Sequence, residues 1–171
     1  IRGYEELAKG NIPIIASFDK DTYQGQGLHV YNFKNKGAKV EHIPEVGSLT
    51  FKAPQTVKGD GIKFLCWQWI CYDKVDNYCS YDCSTKRFGP KTAYNLLKDL
   101  ASEKECLEMV LKVFKERYPE PFTYTAWDES IVESSWKHQL EMYFACCWMK
   151  RSRDDPSSPW LLFDKYNVEY E

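Results

Sequence analysis

Ile62-Lys63-Phe64-Leu65-Cys66-Trp67-Gln68-Trp69-Ile70-Cys71-Tyr72 is apolar at every position but Lys63 and Gln68. It lies between two turn signals, Gly59-Asp60-Gly61 before it and Asp73-Lys74-Val75-Asp76-Asn77 after it. A short apolar run bounded in this way reads as a strand buried on both faces. Alternate residues of a strand share a face, so Leu65, Trp67, Trp69 and Cys71 are expected to line one side. Immediately upstream, Gly47-Ser48-Leu49-Thr50-Phe51-Lys52-Ala53 alternates apolar with polar, the pattern of a half-buried antiparallel strand presenting Leu49 and Phe51 inward.

Working outward, further strands are predicted over residues 13–18, 28–34, 40–43, 78–83 and 92–97, joined by Gly- and Asn-bearing turns. Strands at such short spacing predict a mainly β fold, an antiparallel meander closing into a barrel, with helices confined to the C-terminal end. The period then changes. Ser102-Glu103-Lys104-Glu105 forms a capping box, and Leu107, Val110, Leu111, Phe114 and Tyr118 recur at helical spacing before Pro119 ends the helix. A second helix is predicted over residues 130–150. Its stripe of Trp136, Leu140, Tyr143, Phe144 and Trp148 widens over residues 142–149 until it is apolar all round. Either the tail around Trp160 covers the second face or a partner does. This divides the chain into a barrel with its packing helix (1–118) and a helical extension with tail (119–171).

The 171 residues suffice for a sizeable core. With 43% hydrophobic and 28% charged residues the composition is globular, and 16% aromatic residues is the unusual figure. A balance of 23 basic and 25 acidic residues, without a basic stripe, gives no nucleic-acid footprint. No apolar run approaches the ~20 residues of a membrane-spanning helix. Seven cysteines with three histidines, and no Cys-x-x-Cys, favour disulfides over a metal site. They point to an oxidising compartment, secreted or the lumen of an organelle. No G-x-S-x-G, P-loop, H-E-x-x-H or G-x-G-x-x-G is present, so no catalytic residue is assigned and the chain is read as a non-enzyme. Asp73 and Asp76 fall in turns, where carboxylates cap backbone amides.

Four stretches resemble the lipocalin family, nearest to its invertebrate carotenoid-binding members of the crustacyanin type. Tyr4-Glu5-Glu6-Leu7-Ala8-Lys9 is similar to the opening W-Y-E-I-A-K strand, with Tyr4 in the Trp position and Arg2 where the family has Gly. Leu28-His29-Val30-Tyr31-Asn32, followed by Gly47, resembles a later strand and the glycine that opens the next. Asp76-Asn77-Tyr78-Cys79-Ser80-Tyr81-Asp82-Cys83 resembles D-Y-x-N-Y-x-C-x-Y-x-C late in the barrel, and Cys106 stands in the helix that follows. The resemblance implies a cup holding a carotenoid, retinoid, bilin or lipid, with no cofactor required beyond such a bound carotenoid or lipid. The strand pattern would line it with Leu49, Phe51, Leu65, Trp67, Trp69 and Tyr78. A helix following a barrel packs outside it, which sets Cys106 over the outward-facing Cys79 and predicts a Cys79–Cys106 disulfide, the pairing the resemblance also implies.

Two alternatives stand beside the carrier. One is a structural subunit that meets a protein partner through Trp136, Tyr143, Phe144 and Trp148. The other is a carotenoid-modifying lipocalin enzyme resembling violaxanthin de-epoxidase.

Overall fold

The stretch at residues 61–71 is a helix. The computed structural model describes residues 1–53, 56–71 and 89–171, and within them α2, Gly61–Cys71, is buried at every position. The elements before it are short. Helix α1 spans Arg2–Ala8, strand β1 Ile14–Ala16, and a single 3-10 turn Lys20–Gln24. Strands β2 His29–Tyr31, β3 Glu41–His42, β4 Leu49–Lys52 and β5 Thr56–Gly59 follow. After α2 come α3 Pro90–Leu97, α4 Glu103–Arg117, the hairpin β6 Phe122–Thr125 and β7 Ile131–Ser134, then α5 Trp136–Cys147 and α6 Pro159–Lys165.

The mainly β barrel expectation is therefore corrected. The described strands form one three-stranded sheet, β1-β2-β3, and two separate hairpins, β4-β5 and β6-β7; none closes into a barrel. In the three-stranded sheet β1 runs parallel to β2, which a meander does not allow. The physical reason lies in α2. A strand buried on both faces must still find hydrogen-bonding neighbours on both edges, whereas a helix satisfies its interior backbone alone and can be surrounded by side chains. Apolarity all round suits that central position. Only the helix ends need partners: the Ile62 and Lys63 amides donate to the Glu45 and Val46 carbonyls, each at 3.0 Å, and the Arg117 guanidinium donates to the Ile70 carbonyl at 3.3 Å.

Helices α3, α4 and α5 pack around α2, and one apolar cluster runs from Val57 to Val168. Residues beyond 118 thus share the core of those before it. Trp69 occupies its middle, with ring centroids 4.7 Å from Phe144, 5.8 Å from Phe163 and 6.4 Å from Phe114. Residues 92–97, expected as a strand, belong to α3, which starts on Pro90 in its first turn; proline is preorganised for that position. Helix α5 begins six residues later than the sequence pattern implies, because residues 131–134 pair with β6. The tail does fold back: Trp160 meets Trp136 edge-on at 6.4 Å, and its indole N–H donates to Glu141.

The capping box on α4 is formed as read. Ser102 Oγ accepts from the Glu105 amide at 3.2 Å while the Glu105 carboxylate accepts from the Ser102 amide at 3.1 Å. Ser102→Ala is expected to cost about 1 kcal/mol, read as a lower urea midpoint at unchanged slope. An unchanged midpoint would show that α4 is held by its packing alone.

Cys106 is a buried free thiol, as are Cys66 and Cys147; Cys71 is buried as well, and Cys146 is exposed. The Cys79–Cys106 bond is corrected accordingly: Cys106 sits inside the core against α2 and not on the outside of a barrel, and Cys79 lies outside the described residues. Without disulfides among the described cysteines, the ground for an oxidising compartment is removed. Burial pushes the Cys106 thiol up to about 11 and Cys66 and Cys147 well above the usual thiol range, so none is a ready thiolate nucleophile.

Candidate binding pocket

Where α5 ends, the backbone of Trp148 turns extended (φ −75°, ψ 124°) and residues 148–151 run back as a strap toward the N-terminal elements. The carboxylate of Asp155 holds the strap in place. Its Oδ2 accepts from the Trp148 indole at 3.0 Å and the Arg151 amide at 2.9 Å, and its Oδ1 from the Ser157 amide at 2.8 Å. Burial alone would raise the Asp155 carboxyl, but these donors outweigh it and keep it below the usual carboxylate range.

Between the strap, α1, β1 and the 3-10 turn lies a pocket of about 130 Å³. Its apolar walls come from Tyr4, Ile15, Leu28, Trp148 and Met149, with Ile1 beside them; Gln24, Lys150 and Arg151 also line it. The Arg151 guanidinium lies 4.5 Å from the centre of the Trp148 ring and 5.4 Å from that of Tyr4, and it donates to Gln26 Oε1. Stacking between two rings fixes a cation while leaving donors for an anion. Burial first, then the nearby Glu45, push the Tyr4 phenol up, with Arg151 opposing. Tyr4 is therefore a neutral wall residue at neutral pH.

Gln24 belongs to a polar chain that enters the core. Asp21 Oδ1 accepts from Gln68 Nε2 at 2.5 Å, and Gln68 Oε1 accepts from Gln24 Nε2 at 2.7 Å. Gln24 Nε2 also donates to the Cys147 carbonyl at 2.9 Å. Both amide hydrogens of Gln24 are thus committed, while its Oε1 is buried without a hydrogen-bond partner. Such a carbonyl costs about 1–3 kcal/mol, and it lies closed off from the pocket.

Two other features lie away from this pocket. A more polar hollow of about 400 Å³ between the three-stranded sheet and the β4-β5 hairpin is lined by Tyr23, Asn32, Glu41, Lys58 and Asp60 among others. One Asp60 oxygen is occupied there by the Ser48 amide and hydroxyl, and no nucleophile with a base assembles. Ser134 Oγ lies 3.2 Å from His138 Nδ1, yet Ser134 is 5% exposed and accepts from Gln139, leaving no approach for an acyl group. Among the described residues no cluster of three or more His, Cys, Asp or Glu could hold a metal, and no helix is long and apolar enough to cross a membrane.

The sequence-predicted ligand residues fall elsewhere. Leu65, Trp67 and Trp69 are buried in the core on α2, Leu49 and Phe51 pack at its margin on β4, and none lines the pocket between α1 and the strap. Trp67 stacks on Phe64 at 5.7 Å and its indole donates to the Pro90 carbonyl at 3.1 Å. Tyr78 lies outside the described residues. Of the residues assigned to a partner, Tyr143 and Phe144 are buried within this chain, Trp136 lies beneath α6, and Trp148 alone reaches the pocket. Sequence reasoning missed Tyr4, Gln24, Leu28 and Arg151. Their signal is faint: the Gly25-Gln26-Gly27 turn marks close packing, and Arg151 opens a stretch that reads only as polar loop.

Set against family models, curated proteins and solved structures, the chain matches none.

Proposed function

We propose that the protein binds a small, largely apolar ligand in the pocket between α1 and the 148–151 strap and does no covalent chemistry on it. The observation that carries this reading is an apolar pocket beside which the Arg151 guanidinium is held between the Trp148 and Tyr4 rings. The pocket sets the ligand's size. A cavity of about 150 Å³ accommodates benzene, so about 130 Å³ admits a single ring or a short chain and does not enclose a carotenoid, retinoid or bilin. Arg151 calls for an anionic or strongly accepting group on the ligand.

The ligand class is therefore a one-ring or short-chain acid. The interaction-subunit alternative has less support on α5, whose Tyr143 and Phe144 face the core.

Titration with 4-hydroxybenzoate, benzoate and 4-hydroxybenzyl alcohol, followed by calorimetry, tests each term. The two acids are expected to bind more tightly than the alcohol. Arg151→Ala should weaken them by about 1.5–3 kcal/mol, the worth of a hydrogen bond to a charged group, and should leave the alcohol nearly unaffected. No saturable binding by any of the three, or binding indifferent to Arg151→Ala, would overturn the reading.

A further inference from the structure

The hollow between the three-stranded sheet and the β4-β5 hairpin encloses about 400 Å³. That lies inside the range of small-molecule sites and is more than twice the ~150 Å³ that holds benzene. It has an apolar floor and a polar rim. The buried Val57 and Phe64 and the half-buried Tyr23 form the floor, and Phe18 stands at the rim with 54% of its surface exposed. Phe18 is a fixed ring: Phe33 meets it edge-on at 5.5 Å between centroids, and the Lys34 ammonium lies 3.4 Å from its centre.

The polar groups are set in place as well. Asn32 Oδ1 accepts from the Lys34 amide at 3.2 Å, and the Asn32 side-chain amide donates to the Tyr23 hydroxyl. Burial first, then the Glu41 carboxylate, push the Tyr23 phenol up against that bond, so it stays an O–H donor. Asp60 Oδ1 accepts from the Ser48 amide at 2.6 Å and the Ser48 hydroxyl at 3.2 Å, leaving Oδ2 outside both bonds. The backbone of Asp60 lies against Gly47, where a Cβ would meet the Asp60 carbonyl oxygen at 1.9 Å. A rim already fixed costs a ligand little further ordering.

The chemistry of the rim selects the occupant. Two cations, Lys20 and Lys58, stand with two carboxylates, Glu41 and Asp60, so neither sign of charge is favoured. The amides of Asn32 and Asn35 and the Tyr23 hydroxyl supply donors and acceptors together. An occupant must therefore donate and accept at several points while turning an apolar face to the floor and to Phe18. A saturated ring bearing hydroxyls does both. Each hydroxyl gives one hydrogen and offers two lone pairs, and the C–H bonds on the ring's face meet the negative face of an aromatic ring. A simple acid or amine would find its own charge on half of the charged rim. We propose that this hollow is a second binding site and takes one neutral sugar ring. It shares no lining residue with the pocket at the strap.

Titration of the full chain with glucose, galactose, mannose and N-acetylglucosamine, followed by NMR, decides. At least one of the four is expected to saturate at millimolar concentration, ahead of glucosamine, glucuronate and glutamine. Asn35→Ala should weaken it about two- to tenfold, the worth of one neutral hydrogen bond. Phe18→Ala should weaken it by about the same factor through the lost ring. Both residues are exposed, so both variants are expected to fold. Arg151→Ala should leave sugar binding unchanged. No saturable binding by any of the four sugars, or tighter binding of glucosamine, glucuronate or glutamine, overturns the proposal. An affinity unmoved in both the Phe18→Ala and Asn35→Ala proteins overturns it too. So does a sugar affinity lost in Arg151→Ala, which would put the ring in the pocket at the strap.

Discussion

Trp69→Ala is expected to lower stability by about 3–5 kcal/mol, the range for truncating a large core aromatic. Trp69 is 1% exposed, and its ring touches Phe114, Phe144 and Phe163, which belong to three different helices or the segments that anchor them. Its indole N–H donates to the Leu140 carbonyl at 2.9 Å, tying α2 to α5 in a place water does not reach. Against a total of about 5–15 kcal/mol for an ordinary domain, this one substitution removes a third or more. Trp69→Phe separates the terms: it keeps most of the ring contact and forfeits the hydrogen bond, for about 1 kcal/mol from the bond itself plus the smaller ring. Urea unfolding with near-ultraviolet circular dichroism measures both. A Trp69→Ala protein with native aromatic dichroism and under ~1 kcal/mol of loss would mean that the ring fills a removable space instead of the centre of the core.

That same residue shows why the fold was only half legible. Periodicity distinguishes helix from strand when one face is polar; a segment buried on all sides has no polar face, and residues 61–71 carry no such signal. Flanking glycines then weigh too heavily. Gly59-Asp60-Gly61 reads as a hairpin turn, whereas Gly61, at φ +65°, is the point where β5 turns into α2. Helix α4 was legible because it keeps an exposed face and a complete capping box. The β6-β7 hairpin was not, since its strands are short and one is continuous in pattern with the helix that follows. The pocket draws on α1, the 3-10 turn and a strap more than a hundred residues later, a juxtaposition that no local pattern announces. Arg151 is indistinguishable in sequence from Arg153, a solvent-exposed neighbour in the same loop.

Gly47→Ala is expected to cost about 2–5 kcal/mol, through a contact far from the aromatic core. Gly47 has φ +76°, and a Cβ built there would lie 1.9 Å from the carbonyl oxygen of Asp60 and 2.4 Å from its carbon. A Cβ on Gly61 would in turn lie 2.8 Å from Gly47 Cα. Two backbone segments therefore touch directly, and neither can yield as a flexible side chain would. The contact has a consequence for α2, because the Glu45 and Val46 carbonyls just before Gly47 accept the first amides of that helix. Pushing the segments apart loosens both bonds as well as the Ser48 amide's bond to Asp60 Oδ1. The left-handed backbone contributes about 1–2 kcal/mol of the cost and the steric displacement about 1–3 kcal/mol. Gly10→Ala isolates the first part, since Gly10 has φ +82° and nothing within 4 Å of a built Cβ. The difference between the two variants in urea midpoint, converted at a common slope, measures the backbone contact itself. Equal losses in the two proteins would show that the segments part without cost and that α2 does not depend on the Glu45 and Val46 carbonyls for its start.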